Sequence, residues 1–444
     1  MERQVKVLLT SLGCDKNLVD AEMMLGLLSE AGYELTDDEE LAEAIIVNTC
    51  CFIMDAKEES INSLISYGRL KEEGNCRVLI AAGCLAQRYA EEIHKELPEV
   101  DAVVGTASFD HIAEVLKSCL DKKPADSLED MSRAVYGKKR ILSTGGHYAH
   151  LKIAEGCDKR CSYCAIPTFR GHYRSVPIEE LIREAKELAK GGVSELILVA
   201  QETTRYGIDL YGKKSLSRLL KALSDIDELK WIRILYCYPE EIDDELIETI
   251  ASLPKVCHYL DMPIQHSEDR ILKLMGRATR REEIKAVITK LRSRIPDICL
   301  RTTLISGFPG ESEEEFEALC GFVKEMKFER LGVFAYSPEE GTAAAELPGQ
   351  IDDKIKEERR ERIMALQQGI IREQNKALKG QILKCIVEGR LPEENVLVLR
   401  SYRDAPEVDG YVFVNTDTEY MSGTILDVRI KSADIYDLNG EIVQ

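Results

Sequence analysis

The sequence predicts an α/β protein of three parts: an N-terminal doubly wound parallel sheet domain, a central partial barrel of six βα units, and a small C-terminal OB-like barrel of five antiparallel strands. Two successive series of apolar strands and amphipathic helices predict the first two parts, because such alternation is typical of parallel sheets. A change near residue 377 to short strands separated by turn residues predicts the third. The 444 residues suffice for three domains with cores of their own.

Residues 1–120 form the predicted N-terminal domain. Its candidate strands are VKVLLT, EAIIVN, CRVLIAAG and VDAVVG, each of them short, apolar and bounded by turn residues. Helical patterns lie between these strands; Val19, Met23 and Leu27, for example, share one helical face. A polar and glycine-containing stretch over residues 121–142 is predicted to be a linker.

Residues 143–374 form the predicted central domain. Its candidate strands are LKIAE, ELILVA, WIRILY, VCHYLD, ICLRTTLI and RLGVFAY, with amphipathic helices between them. Six units are too few to close an eight-stranded barrel, so we expect an open, partial one. A charged helix then leads into residues 377–444, where the candidate strands are GQILKCIVEG, ENVLVLR, GYVFVN, TILDVRI and ADIYDL.

Charge and composition restrict the class of protein. The net charge of −20 argues against binding of nucleic acid through its phosphate backbone and favours a basic partner. The alternative is that the negative charge only keeps the protein soluble. No apolar run reaches the length of a membrane span and no signal peptide is evident, so we expect a cytoplasmic protein without membrane contact. In a reducing compartment, clustered members of the 14 cysteines indicate metal or redox chemistry rather than disulfides.

Three cysteines, Cys157, Cys161 and Cys164, form a C-x3-C-x2-C array directly after the first strand of the central domain. Thiolates bind zinc or iron–sulfur clusters. A structural zinc site normally takes four ligands, and no fourth cysteine or histidine follows closely. The array therefore favours a [4Fe–4S] cluster with one open iron, and zinc is the alternative.

Three further cysteines, Cys14, Cys50 and Cys84, each follow a candidate strand of the N-terminal domain by a few residues. The carboxyl ends of parallel strands meet at one edge of a sheet, where ligand sites collect. The predicted fold therefore brings these thiols together. The alternative is three unrelated buried cysteines, since free cysteine is a common core residue.

The C-x3-C-x2-C array after the first strand of a βα barrel resembles the radical S-adenosylmethionine (SAM) superfamily. The resemblance implies that the open iron binds the amino and carboxylate groups of SAM, which an electron then cleaves to methionine and a 5′-deoxyadenosyl radical. Along nearly the whole chain, the motifs that resemble the methylthiotransferase family are SLGCDKNLVDAE, VNTCCFI, AAGCLAQRY, EGCDKRCSYCAIPTFRG, YLDMPIQH, LMGR and SYRDAPEVDG. This family implies a second [4Fe–4S] cluster in the N-terminal domain, a radical SAM core and a C-terminal TRAM domain.

By position, Cys14, Cys50 and Cys84 match the ligands of the family's auxiliary cluster. The ligands of the radical cluster are matched by Cys157, Cys161 and Cys164. Cys51 stands where the family usually has glycine and could compete as a ligand, but Cys50 matches by position and is preferred. The remaining cysteines are interpreted as core or incidental residues: Cys76, Cys119, Cys237, Cys257, Cys299, Cys320 and Cys385.

Several other residues have two readings each. After a candidate barrel strand, Glu202, with Gln201 beside it, either holds the SAM ammonium group or is a solvated loop acid. Gly307 and Gly310 either let backbone approach a ligand or form a plain strand–helix turn. Tyr163 either contacts the adenine of SAM or is a local packing residue. Arg170 and Arg174 either contact a carboxylate or form surface ion pairs. His266 either lines the mouth of the barrel or is a structural histidine.

The resemblance implies that the auxiliary cluster carries a sulfur that one SAM methylates, while a radical from a second SAM opens a C–H bond of the substrate. SLGCDKNLVDAE, YLDMPIQH and SYRDAPEVDG resemble the branch that methylthiolates the β-carbon of an aspartate in a basic small-subunit ribosomal protein. Residues 377–444 carry 7 Lys and Arg against 12 Asp and Glu, a net charge of −5, which suits a basic protein better than RNA.

Two alternatives stay open: methylthiolation of a tRNA adenosine, and a non-catalytic iron–sulfur protein that senses redox state or binds ribosomes. The expected partners are the ribosomal protein, an electron donor such as a flavodoxin or ferredoxin, and the ribosome, with tRNA less favoured.

Overall fold

The computed structural model describes residues 4–392 and 394–443. The N-terminal sheet contains β1 (Lys6–Ser11), β2 (Glu34–Leu35), β3 (Ala44–Thr49), β4 (Val78–Gly83) and β5 (Ala102–Val104). Its strand order is β2-β1-β3-β4-β5, and all neighbours run parallel. The four predicted strands are confirmed; the two-residue edge strand β2 was not predicted, because so short a strand has no periodicity to detect.

Helices cover both faces of this sheet, which confirms the doubly wound prediction. They are α1 (Asp15–Glu30), α2 (Met54–Glu73), α3 (Cys84–Arg88), α4 (Ala90–Glu96) and α5 (Ile112–Leu120). The apolar stripe of α1, including Val19 and Met23, shares one core cluster with α5. On the opposite face, α2, α3 and α4 contribute Leu64, Leu85 and Ile93 to a second cluster.

The segment between α5 and the central sheet, predicted as a linker, packs against both neighbours. It contains no helix, and its Ser127 forms an isolated bridge to Val104. Arg140 is buried and donates to Glu22 of α1 and to Glu184 of the central unit, both at 2.5 Å. These contacts hold the first two units together, while the predicted domain limits stay a prediction.

The central unit is an open six-stranded parallel sheet in the order β13-β12-β11-β10-β9-β6, which confirms the partial barrel. Its strands, with a short β7–β8 ribbon, are β6 (Tyr148–Lys152), β7 (Ala154–Glu155), β8 (Arg174–Ser175), β9 (Glu195–Val199), β10 (Trp231–Ile234), β11 (Val256–Asp261), β12 (Cys299–Ser306) and β13 (Arg330–Ala335). The helices are α6 (Ile166–Arg170), α7 (Ile178–Lys190), α8 (Ile208–Tyr211), α9 (Leu216–Ser224), α10 (Asp244–Ser252), α11 (Asp269–Leu274), α12 (Arg281–Arg294), α13 (Glu313–Met326) and α14 (Asp353–Ala377).

The C-terminal unit is a closed five-stranded barrel in the order β14-β15-β16-β18-β17. Its strands are β14 (Ile382–Leu391), β15 (Val396–Ser401), β16 (Val412–Asn415), β17 (Ile425–Ala433) and β18 (Leu438–Ile442). The barrel is confirmed, but the predicted strand ADIYDL was wrong, because its middle residues connect β17 to β18. The expectation that all strands are antiparallel was also wrong for β16 and β18, which pair in parallel. Each of these strands runs opposite to β17, which separates them in sequence, so they share a direction.

The C-terminal barrel attaches to the amino ends of the central strands. Glu195, the first residue of β9, is fully buried and accepts from Arg233 at 2.8 Å and from Arg400 at 2.5 Å. Arg330, the first residue of β13, pairs with Asp404. The carboxyl ends of the central strands therefore stay available for a site. Among the described residues, no helix is both long and apolar enough to cross a lipid bilayer.

Candidate functional site

The three N-terminal cysteines follow three adjacent strands, β1, β3 and β4. Cys14 is the residue before α1, Cys50 directly follows β3, and Cys84 begins α3. Gly13, at a φ of +89°, brings the Cys14 loop against Cys50, because a Cβ at Gly13 would lie 2.7 Å from the Cys50 Sγ. A side chain at this position therefore has no room.

The loop of Cys84 approaches the same place. A Cβ at Gly83, whose φ is +87°, would lie 2.4 Å from the Asn48 Oδ1 and 2.7 Å from the Thr49 carbonyl oxygen, directly before Cys50. Asn17 of α1 donates to that Thr49 oxygen at 3.0 Å. The glycine before Cys14 and the one before Cys84 are visible in the sequence and could have signalled this close approach.

The thiols of this group influence one another electrostatically. Burial raises the pKa of Cys84 well above its ordinary value, and the neighbouring thiols of Cys51, Cys14 and Cys50 raise it further. Arg170 opposes the shift. The structure thus brings the three predicted auxiliary ligands together, with Cys51 as a fourth nearby thiol.

The second group, Cys157, Cys161 and Cys164, lies in the loop after the β7 strand. Ser162 within this loop donates its backbone N–H to the Met275 carbonyl at 3.0 Å. Met275 belongs to the LMGR motif after α11, so this motif supports the cysteine loop. Burial raises the pKa of Cys157 to about 11 and that of Cys164 to about 12.

The donor set fits clusters better than a single ion. All 14 cysteines are free thiols. Within residues 4–392 and 394–443, no three His, Cys, Asp or Glu side chains converge on a point that could hold one metal ion. In a [4Fe–4S] cluster each cysteine binds a different iron, so such convergence is not required.

Cys51 differs from Cys50 in its surroundings. Cys51 is fully buried in the apolar cluster beneath α2, and burial raises its pKa to about 12. The Cys50 backbone is fixed by Ser60, whose hydroxyl donates to the Cys50 carbonyl oxygen and accepts from its N–H, both at 2.9 Å. The choice of Cys50 as ligand stays a prediction.

Arg170 contacts carboxylates, as one of its two readings proposed, and is not a surface residue. Its Nη1 donates to Asp20 at 2.8 Å and to Glu155 at 3.0 Å, and its Nε donates to the Cys84 Sγ at 3.3 Å. Lys152 also pairs with both carboxylates. Burial alone would raise the pKa of Glu155, but Arg170 and Lys152 hold it below its usual range.

This buried charge network joins the N-terminal sheet to the central barrel. Sequence reasoning missed Asp20, Lys152 and Glu155, because Asp20 meets partners more than a hundred residues away in the chain. Arg174 fits neither of its readings: among the described residues it donates to backbone carbonyls, including that of His172 at 2.6 Å.

Glu202 is almost fully buried, so its reading as a solvated loop acid is wrong. Burial raises its pKa to about 7, although Lys159, whose Nζ lies 3.8 Å away, opposes the shift. A role toward SAM stays a prediction. Gln201 donates through Nε2 to Glu155 at 2.7 Å, while its Oε1 is buried without a partner among the described residues.

The remaining candidates have mainly structural surroundings. A Cβ at Gly307 would lie 2.4 Å from the Lys356 side chain, so the close approach there is to protein. Gly310 donates its N–H to the Gly349 carbonyl at 2.8 Å, which favours a strand–helix turn. His266 is fully buried with its Nε2 3.3 Å from Glu311, as a structural histidine would be.

Some of the buried polar atoms without partners belong to residues that follow strands of the central sheet. Gln201 Oε1, Gln265 Oε1 and Arg277 Nη1 are buried and have no hydrogen-bond partner among the described residues. Buried polar atoms are normally paired, so these suit a polar ligand such as SAM. Tyr163 packs against the apolar cluster that contains Phe308, which supports local packing and leaves an adenine contact a prediction.

Three family models match the chain. Residues 6–105 match the model described as Uncharacterized protein family UPF0004, residues 151–323 match the Radical SAM superfamily, and residues 380–443 match the TRAM domain. In fold, the chain is similar to the radical S-adenosylmethionine methyltransferase TsrM from Kitasatospora setae, with a TM-score of 0.56, 14% identity and 77% of each chain covered.

Two relatives are much closer in sequence. The ribosomal protein uS12 methylthiotransferase RimO of Lachnoclostridium phytofermentans is 55% identical over 437 residues, which cover 98% of this chain and 99% of that protein. The protein of the same name from Acetivibrio thermocellus is 50% identical, with 99% of this chain and 98% of that protein covered. The chain therefore belongs to the ribosomal protein uS12 methylthiotransferase family of the radical SAM superfamily.

Proposed function

We propose that this protein is a cytoplasmic radical SAM methylthiotransferase that adds a methylthio group to the β-carbon of an aspartate in ribosomal protein uS12. Near-complete coverage by relatives of that name supports the proposal. The geometric observation that carries it is the contact of Arg170 with the Cys84 Sγ at 3.3 Å. Arg170 ends the helix that follows the Cys157–Cys164 loop, which supports one site for the two cysteine groups.

In this proposal Cys157, Cys161 and Cys164 hold the radical cluster. The auxiliary cluster is held by Cys14, Cys50 and Cys84. When bound, the two clusters and SAM supply a carbon-centred radical and a methylthio group. The radical is needed because acid–base chemistry cannot break an unactivated C–H bond.

The chain's own part is to position these groups and exclude water. Cys84 and Cys157 are buried, and the network around Arg170 holds the two cysteine loops together across the joint between units. Glu202, charged above a pKa of about 7, is suited to bind the SAM ammonium group. The excess of acidic residues in 377–444 supports a basic protein substrate over tRNA. A flavodoxin or ferredoxin as electron donor, and contact with the ribosome, complete the proposal.

The test is mass spectrometry after anaerobic turnover. The reconstituted protein receives SAM, a reductant, and either uS12 or bulk tRNA in parallel reactions. A methylthio mass increase on an aspartate peptide of uS12 is expected. An increase on an adenosine alone would make this a tRNA enzyme, and no SAM cleavage at all would support a non-catalytic iron–sulfur protein.

Two variants test the assignment of the clusters. Cys161→Ala is expected to abolish SAM cleavage, because it removes a ligand of the radical cluster. Cys50→Ala is expected to keep cleavage and stop sulfur insertion. Methylthiolated product from Cys50→Ala would refute the division of labour between the two groups.

A further inference from the structure

Lys16 is a buried lysine whose ammonium group lies over an aromatic ring. It is the second residue of α1 and only 6% exposed. Its Nζ lies 3.4 Å from the centroid of the Tyr236 ring. Across residues 4–392 and 394–443, no carboxylate forms an ion pair with it.

Three other buried cations where the first two units meet are paired with carboxylates. Lys152 and Arg170 share the carboxylates of Asp20 and Glu155, and Arg140 likewise contacts two glutamates. A buried charge without a counterion is costly, so a lone one is exceptional. Lys16 forms no such ion pair among the described residues, so its ammonium group is free to bind a carboxylate from outside the chain.

The acid next to Lys16 in sequence is already engaged. Asp15 accepts a hydrogen bond from the Tyr236 hydroxyl at 3.1 Å and lies 3.7 Å from the Nε2 of His150. Burial lowers the pKa of Lys16, but Tyr236, the Cys14 thiol and Asp15 together raise it above its usual value, so Asp15 acts on Lys16 without forming an ion pair with it.

The aromatic ring beside Lys16 is held in a strained backbone. Tyr236 has a φ of +61°, which is rare for a bulky side chain. Its N–H donates to Asp261 at 3.0 Å, and its carbonyl accepts from the Thr203 N–H at 3.0 Å. Strain of this kind persists where the surrounding structure enforces it, and it concentrates at binding sites.

Lys16 lies where the N-terminal cysteine loop meets the central sheet. It follows Cys14 by two residues, whereas Tyr236, over whose ring its Nζ lies, follows β10 at the carboxyl edge of the central sheet. The ammonium group is therefore beside the edge of the sheet at which the proposed site lies.

We propose that Lys16 binds the side-chain carboxylate of the substrate aspartate. This inference rests on the proposed function. The β-carbon of aspartate is bonded directly to the carboxylate carbon, so an ion pair at the carboxylate places the C–H bond to be opened. An adenosine base has no carboxylate, so the same contact selects a protein substrate over tRNA.

The test measures binding of two synthetic uS12 peptides to the reconstituted holoenzyme by fluorescence anisotropy. One peptide carries the target aspartate and the other carries asparagine at that position. The wild type is expected to bind the aspartate peptide about 10- to 100-fold more tightly, the range for a hydrogen-bonded charge pair. Lys16→Met is expected to lose this preference and Lys16→Arg to keep it.

Lys6→Met is the matched control, because Lys6 lies at the opposite end of β1 and pairs with Glu34 at the surface. It is expected to bind both peptides as the wild type does. The peptide exchange leaves the protein unaltered, so a preference measured on the wild type cannot result from misfolding.

Two results would overturn the role of Lys16: equal binding of the two peptides by the wild type, or an unchanged preference in Lys16→Met. In the second case, a shift in the midpoint potential of the auxiliary cluster of Lys16→Met would assign the ammonium group to the cluster instead. If the wild type cleaves SAM but leaves the aspartate peptide unmodified, the proposed function itself fails.

Discussion

Replacing Arg170 with methionine is expected to destabilise the joint, that is, the interface between the N-terminal sheet and the central barrel. Methionine keeps part of the apolar stem but removes the charge and all donors. The change eliminates the hydrogen bonds to Asp20 at 2.8 Å, to Glu155 at 3.0 Å and to the Cys84 Sγ at 3.3 Å. Lys152 then faces two buried carboxylates alone.

The size of the effect follows from burial. Removing one partner of a buried ion pair costs about 3–5 kcal/mol, because an uncompensated charge stays behind. The matched control is Arg183→Met on α7, whose side chain is 45% exposed and pairs with Glu180 at 2.6 Å. Exposed pairs of this kind contribute below about 1 kcal/mol.

The assay is alkylation of Cys84 in the apo protein, followed by peptide mass spectrometry. Cys84 is only 4% exposed, so a thiol reagent reaches it after local opening of the joint. A loss of about 3 kcal/mol predicts a rate about 150-fold higher in Arg170→Met. Arg183→Met is expected to stay within about 5-fold of the wild type. Similar rates in both variants would refute the role of the network.

Three further outcomes are expected. Cys51→Ala should keep the iron of the auxiliary site, whereas Cys50→Ala should lose about four irons per chain. The iron content of the reconstituted variants measures this. A loss of iron in Cys51→Ala instead of Cys50→Ala would reverse the ligand assignment. Burial raises the pKa of Glu202 from 4.5 to about 7, so between these pH values the folded apo protein holds a proton on Glu202 that the unfolded chain does not. The free energy of unfolding is therefore expected to fall by up to about 3 kcal/mol as the pH rises from 4.5 to about 7. Urea midpoints that vary equally with pH in the wild type and in Glu202→Gln would contradict this. Glu195→Gln leaves buried Arg233 without its carboxylate and Arg400 with Glu388 alone, and should cost about 3–5 kcal/mol. Limited proteolysis after α14 should therefore release the C-terminal barrel faster; an unchanged cleavage rate would show that this ion network does not hold the barrel.

Local patterns were sufficient for much of the fold. Alternating strands and helices predicted both parallel sheets, because strand periodicity and helix stripes are properties of neighbouring residues. The pairing of β16 with β18 was missed, since pairing partners depend on how the whole barrel closes. The edge strand β2 was too short to produce a pattern at all.

For the candidate site, too, local sequence predicted some features and left others undetermined. The sequence by itself determined the cysteine positions: the C-x3-C-x2-C array is local, and strand ends predicted the edge where Cys14, Cys50 and Cys84 lie. Only the tertiary structure decided which charges meet there. Arg170 reaches Cys84 and Asp20 across the joint, while Lys16 faces Tyr236 with no carboxylate partner among the described residues. Such contacts join residues far apart in the chain, and the electrostatic environment of a buried charge depends on all of its neighbours in space, which no local pattern records.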